Sequence, residues 1–346
     1  MVRLREIRTV GVVAWAVVLS LFCPSAPGQE AKLTIYPQKM STEVGKNSLL
    51  PPSASLTDGD AVPLYHQAAQ ALMADKDWAR IDKWLALPLD QLPPEEAQGA
   101  LERHMESLKV IAQAVRCRQC NWPALTSGTN LPTNLAEFQK LGTLVRLWAR
   151  FEIAQGSPES VLLALRTGFG MARHIAQAPS TIQYLSGMGI AALMRDEVGR
   201  WVQTEDAPNL YAALAALPKP FGDIEKSIES EKKAIPSELP AGLKMTREQF
   251  DAKLKTSHDA FRMAAKRWES DLALLQCIEA LRSYAAWHGG QLPQSLTEIT
   301  EVSVPKDPMT GEAFRYTRTG AAAVLESPIP PGNKQKVIRY EITVKN

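Results

Sequence analysis

Apolar side chains recur at steps of three and four residues along most of this chain, and that spacing constrains its fold more than any other feature. One such stripe consists of Leu101, Met105, Leu108, Ile111 and Val115. Residues at this spacing share one face of an α-helix, and that face must be buried. Leu and Ala are abundant and runs of β-branched residues are rare, which favours helix because unbranched side chains lose less rotamer freedom there. The sequence therefore predicts a mainly α fold.

The connections between these stripes are short. A helix is predicted over Leu135 to Gln155, and Gly156-Ser157-Pro158 then closes it and opens the next, with Gly at C′, Ser at the N-cap and Pro at N1. Helices joined this tightly run antiparallel, and a third follows Pro179. We expect antiparallel helical hairpins, arranged either as a tetratricopeptide-like array or as an irregular bundle.

Changes in pattern divide the chain into five parts. These are a signal peptide (1–28), a flexible, turn-rich arm (29–62), a helical body (63–217), a charged hinge (218–245) and a C-terminal part (246–346). In the last part, apolar residues from Phe250 to Leu281 keep helical spacing through Ser283 and predict one helix of up to about 40 residues. A small β-hairpin element should follow that helix, and Val337 to Val344 is strand-like.

The first residues have the pattern of an export signal. Arg3, Arg5 and Arg8 precede an uncharged apolar stretch from Val10 to Phe22, and small residues allow cleavage after Gly28. The apolar stretch is shorter than the roughly 20 residues that a membrane-spanning helix needs. We expect a periplasmic or extracellular protein; retention in the membrane through an uncleaved signal is the less favoured alternative.

Charge and motifs narrow the function classes. The formal net charge is only +2 and 22% of residues are charged, so no nucleic-acid partner is expected. The five histidines are scattered singly, and no phosphate-binding loop, Gly-x-Ser-x-Gly motif or His-Glu-x-x-His motif is present. The sequence predicts no catalytic residue, no cofactor and no metal ion.

Three cysteines remain after the signal. Cys117 and Cys120 form a Cys-x-x-Cys pair, and Cys277 lies in the long helix. The pair is only half of a zinc site, because a closed tetrahedral site needs four ligands. Thiols of exported proteins tend to oxidise, so we predict a structural disulfide, either within the pair or to Cys277.

The C-terminal part carries a recognisable order of motifs. A long helix ends in Tyr284-x-x-x-x-Gly289, and Leu292-Pro293-Gln294-Ser295-Leu296 and Asp307-Pro308-x-x-Gly311 follow, before an aromatic strand. Over residues 270 to 320 this order resembles the C-terminal part of type II secretion pseudopilins. The prepilin processing site of that family is missing, so the resemblance implies a fold element rather than assembly into a pseudopilus. Together with Arg116 to Trp122, the tail is also similar to a group of exported bacterial helical proteins, which implies no activity.

Three hypotheses of function follow. The sequence favours a non-enzymatic envelope or extracellular protein whose helices present a surface to a protein partner. The alternative is an exported hydrolase whose site is assembled from separate segments. A third is a structural component linked to secretion, as the pseudopilin-like tail suggests.

Overall fold

The computed structural model describes residues 30–41, 45, 47–72, 78–125, 135–236, 239, 245–329 and 338–345. The predicted signal peptide and its cleavage site at Gly28 lie outside these residues. The described helices are α1 (Ala61–Leu72), α2 (Trp78–Ala86), α3 (Pro94–Arg103), α4 (Met105–Ala114), α5 (Leu135–Ala154), α6 (Pro158–Ala176), α7 (Thr181–Trp201), α8 (Tyr211–Ala215), α9 (Ile224–Ala234) and α10 (Arg247–Trp287). The strands are β1 (Glu30–Ile35), β2 (Thr57–Asp60), β3 (Cys117–Gln119), β4 (Arg315–Thr319), β5 (Ala322–Glu326) and β6 (Arg339–Val344). The mainly α fold with a small β element is confirmed.

Helices α5, α6 and α7 form a three-helix bundle in which each contacts the other two. Gly156 has φ 63°, which suits a glycine at C′, and Ser157 is the N-cap residue with Pro158 at N1. The Ser157 hydroxyl donates to Ser160 Oγ at 3.1 Å and makes no capping hydrogen bond to the backbone. Close packing within the bundle depends on Gly187, where a Cβ would lie 2.5 Å from the backbone nitrogen of Ala176.

The stripe from Leu101 to Val115 was expected to lie on one helix, but the structure breaks it at His104. This residue has φ −105° and ψ 12°, and it separates α3 from α4. Its ring is buried and stacks on Trp78, with centroids 5.7 Å apart. Because the break turns the second helix, Met105 is 43% exposed instead of lying in the stripe.

The long helix is α10, which spans 41 residues and begins with a capping box formed by Thr246 and Gln249. Residues 272 to 283 are buried on every side. A fully buried ion pair joins Arg282 to Glu279 at 2.9 Å. Arg282 also donates to the carbonyl oxygens of Tyr36 at 3.0 Å and Ala207 at 2.7 Å. One guanidinium therefore connects the long helix to the segment after β1 and to the segment before α8.

A four-stranded sheet has the order β1-β6-β5-β4, with β1 parallel to β6 and the other pairs antiparallel. Leu33, Ile35, Leu325 and Ile342 are buried in the same core as the long helix. The alternate positions of the sheet carry charges, and Arg339 pairs with Glu326 at 2.7 Å. One face is therefore apolar and packed, and the other is polar.

Two of the expected parts differ from the structure. Residues 30 to 35 of the predicted flexible arm form β1, where Leu33 and Ile35 are buried. The predicted hinge contains α9, whose residues Ile224 and Ile228 are buried and which contacts α7 and α10. Both segments are short and contain too few apolar residues to give a periodic signal. Each segment nevertheless buries its apolar side chains against distant parts of the chain.

Candidate functional site

The structure places the three cysteines in two regions, all as free thiols. Cys117 begins β3 and Cys120 follows that strand. Three steps along an extended strand separate Cα atoms by roughly 10 Å, whereas a disulfide needs about 7 Å or less. The Cys277 thiol lies 3.9 Å from the carbonyl oxygen of Pro305, and that of Cys120 lies 3.7 Å from the carbonyl oxygen of His174. The predicted disulfide is therefore absent among the described cysteines, because strand geometry separates the pair and Cys277 packs elsewhere.

The Cys-x-x-Cys pair nevertheless belongs to a cluster assembled from distant segments. We call Asp60, Tyr65, Cys117, Cys120 and His174 the cysteine cluster. The parallel pairing of β2 with β3 brings Asp60 beside the pair, α1 supplies Tyr65, and the last turn of α6 supplies His174. The Tyr65 hydroxyl lies 2.9 Å from Nδ1 of His174, which is 109 residues away in sequence.

Burial holds most of this cluster uncharged. It raises the pKa of the Cys120 thiol to about 12, and the negative charge of Asp60 adds to the rise. Burial also raises the pKa of Cys117 and places that of Tyr65 well above its usual range. The pKa of His174 is lowered to about 4, chiefly by burial. A cysteine nucleophile needs a thiolate, and these thiols stay protonated at neutral pH.

The polar contacts of the cysteine cluster connect secondary-structure elements to one another. The Asp60 carboxylate accepts hydrogen bonds from the backbone N–H groups of Val62 at 3.1 Å and Asn121 at 3.0 Å. The Trp122 indole donates to the carbonyl oxygen of His174 at 2.7 Å. These bonds fix the β2–β3 ladder to α1 and to the end of α6. Sequence reasoning missed Asp60, Tyr65 and His174, because single polar residues give no signal of a contact made so far along the chain.

A different group of residues forms an exposed surface where β1, β6 and α10 all end. We call Tyr36, Lys39, Trp287 and Lys345 the basic–aromatic patch. Lys39 Nζ lies 3.7 Å from the centroid of the Trp287 ring, and Lys345 Nζ lies 5.7 Å from that of Tyr36. Trp287 is 59% exposed, more than any other large apolar residue described as exposed.

The backbone around the basic–aromatic patch is well fixed. The Gln38 N–H donates to the carbonyl oxygen of Arg282 at 3.1 Å, and the Lys345 N–H donates to that of Ile35 at 3.0 Å. After Trp287 the helix stops, because Gly289 and Gly290 have φ of 60° and 81°. The exposed indole therefore belongs to the last residue of the long helix, next to backbone that these hydrogen bonds hold.

The basic–aromatic patch combines two aromatic rings with two ammonium groups. Tryptophan and tyrosine are enriched among the residues that contribute most to protein interfaces. A cation over an indole face is attracted by the ring quadrupole, which holds the ammonium beside the apolar surface. Each of the two ammonium groups lies over one aromatic ring, and their charge is complementary to that of carboxylates.

Comparisons with protein-family models, curated proteins and solved structures find no match for this chain. No helix in the described ranges is long and apolar enough to cross a membrane. Within the same residues, no group of three or more His, Cys, Asp or Glu side chains is placed to hold a metal ion.

Proposed function

We propose that this chain is an exported, non-enzymatic protein of the cell envelope that binds an acidic segment of a partner protein at the basic–aromatic patch. The observation that carries the proposal is Trp287, exposed at the rigid end of the long helix with the Lys39 ammonium against its ring. An exposed indole with an ammonium group against its ring, at the end of a helix, is the kind of side chain that anchors a partner with apolar and acidic groups.

The experiment is photo-crosslinking in cells. A photoreactive phenylalanine derivative replaces Trp287, and in a control chain it replaces Met263, which is 46% exposed on the same helix. The proposal predicts a discrete protein adduct from position 287 whose crosslinked peptide is rich in Asp and Glu. Adducts of equal yield from both positions, or adducts to lipid alone, would overturn it.

Export is tested separately by cell fractionation. The N-terminal pattern of arginines and apolar residues supports a periplasmic or extracellular chain. We expect the mature protein in the periplasm or medium, shortened by the length of the signal. Full-length protein in the cytoplasm would contradict the proposed compartment without affecting the crosslinking result.

The pseudopilin-like tail supports a second structural role, as a component linked to secretion. The long helix α10 is followed by a loop and an antiparallel hairpin, the order that the resemblance implies. Within the loop, the Asp307 carboxylate accepts hydrogen bonds from the backbone N–H groups of Met309 and Thr310 at 3.3 and 3.2 Å. Association with a secretion apparatus in fractionated envelopes would favour this role, and its absence would count against it.

The alternative of an exported hydrolase with a site assembled from separate segments can be tested at the cysteine cluster, whose members come from separate segments. Alkylation with iodoacetamide discriminates, because only a thiolate reacts quickly. With the pKa of Cys120 raised to about 12, we expect slow alkylation at pH 7.5. Rapid, selective labelling of Cys120 or Cys117 in the folded chain would favour the hydrolase.

A further inference from the structure

Three arginines converge on one buried carboxylate between α5 and α7. We call Arg146, Arg150, Glu197 and Arg200 the arginine cluster. Oε1 of Glu197 accepts from Arg146 Nε at 2.8 Å, from Arg150 Nη2 at 3.0 Å and from Arg200 Nη1 at 3.4 Å. Glu197 and Arg150 are fully buried, whereas the Arg146 and Arg200 side chains are 17% and 35% exposed.

The contacts of Arg150 explain its presence without any ligand. It forms a two-point pair with Glu197 and donates to the carbonyl oxygens of Leu85 and Leu87. Arg150 and Glu197 together carry no net charge. The hydrogen bonds of Arg150 connect α5 to α7 and to the C-terminal end of α2. This part of the arginine cluster is a structural joint.

The positive charges of Arg146 and Arg200 are not balanced in the same way, because Arg150 already neutralises the one negative charge of Glu197. Among the described residues, neither forms an ion pair with a second carboxylate. Arg200 lies in the last turn of α7, where the helix dipole favours a cation, and it also donates to the carbonyl oxygen of Asp196. Arg146 lies in the middle of α5 and spends only its Nε on Glu197. The arginine cluster therefore carries an excess of two positive charges in a partly buried position.

The geometry points to an anion at the guanidinium groups of Arg146 and Arg200, and we infer that the arginine cluster binds a phosphate-bearing small molecule. Both guanidinium groups contact the same Glu197 oxygen and so lie close together, and within the described residues the two Nη groups of Arg146 and the Nε and Nη2 of Arg200 donate to no acceptor. One oxyanion can then accept hydrogen bonds of about 2.8 Å from both guanidinium groups. A phosphate group concentrates a charge of nearly −2 and three acceptor oxygens at one point, which matches the excess. Glu197 beneath them holds the two guanidinium groups in place.

The test is isothermal titration of the purified chain with inorganic phosphate at low, fixed ionic strength. We expect one site, and a dissociation constant at least about tenfold weaker in Arg146→Ala and in Arg200→Ala. Arg146→Lys should retain part of the affinity, since it keeps the charge but loses the planar fork. Arg315→Ala, on an exposed position of β4, is the matched control and should bind like the wild type.

Circular dichroism melts of each variant show whether it folds, and the Arg150–Glu197 pair is kept in all of them. Succinate is the comparison ligand, because it carries two negative charges like phosphate but places them on two separate carboxylates. The inference is overturned if the wild type binds no phosphate, if folded Arg146→Ala binds it as tightly as the wild type, or if succinate binds as tightly as phosphate.

Discussion

The Lys39 ammonium lies 3.7 Å from the ring centroid of Trp287, at the point where the long helix ends beside the ends of β1 and β6. This contact joins residues 248 positions apart in the sequence (287 minus 39), and it leaves most of the indole open to solvent. The proposed binding function requires this contact to be part of a binding surface rather than part of the core.

Among the tryptophans that the structure describes, Trp287 and Trp201 differ most in exposure, and replacing each of them tests that distinction. Trp287→Ala removes an exposed ring and one cation–π contact, so the free energy of unfolding should fall by no more than about 1 kcal/mol. Trp201→Ala empties a site that is fully buried at the end of α7 and should cost about 3–5 kcal/mol. Urea denaturation measures both. A loss of several kcal/mol in Trp287→Ala would mean that the indole serves the fold.

The buried Arg282 should be far more important to stability than an exposed arginine on the same helix. Arg282→Ala leaves the buried Glu279 without its partner and should cost about 3–5 kcal/mol. Arg262→Ala breaks an exposed pair with Glu225, screened by solvent, and should cost about 0–1 kcal/mol. Similar thermal midpoints for the two variants would contradict the role of Arg282 as the connection between α10, β1 and α8.

Two glycines on α7 provide a matched pair for the packing of the three-helix bundle. A Cβ at Gly187 would meet the backbone of α6, so Gly187→Ala should destabilise the chain by about 1–3 kcal/mol. A Cβ at Gly189 would meet nothing within 4 Å, so Gly189→Ala should stabilise the helix by roughly 0.5–1 kcal/mol. We expect the denaturation midpoint to fall in Gly187→Ala and to rise in Gly189→Ala. Equal shifts in the two variants would contradict the close approach of α7 to the backbone of α6 at Gly187.

The pH dependence of stability should reflect His174. Its pKa is about 4 in the folded chain and near 6.5 when unfolded, so the unfolded state binds the extra proton first. Stability from this group is therefore fully present above pH 6.5 and is lost as the pH falls toward 4, by about 1–3 kcal/mol. His174→Gln cannot titrate, so its unfolding free energy should change less than that of the wild type between pH 7 and pH 5. If the unfolding free energies of wild type and His174→Gln fell equally between pH 7 and pH 5, the lowered pKa of His174 would be contradicted.

The sequence predicted the helices better than the contacts between them. Periodicity located the bundle and the long helix, because a buried helical face repeats its apolar residues at a fixed spacing. The break at His104 was missed, because the apolar residues keep their spacing in the sequence across it although the second helix is turned. The pairing of β1 with β6 was missed because it joins strands about 310 residues apart, and no local pattern encodes such a contact.

The candidate sites were the least predictable part of the chain. Arg150, Glu197, Glu279 and Arg282 are fully buried charges, whereas hydrophobic patterning assigns charged residues to the surface. The two cysteines of the Cys-x-x-Cys pair were found by their spacing, but that spacing does not reveal the strand that keeps them apart. The basic–aromatic patch gave no signal either, because its members are brought together only by the ends of three distant elements.

The most direct test of the account is the affinity of the purified chain for the peptide that crosslinking from position 287 identifies. Wild type and the charge-reversal variant Lys39→Glu are compared at two salt concentrations. We expect the variant to bind at least about tenfold more weakly, and the wild type to weaken as salt screens the lysines. Equal affinity of the two chains, unaffected by salt, would contradict the claim that this patch binds an acidic partner.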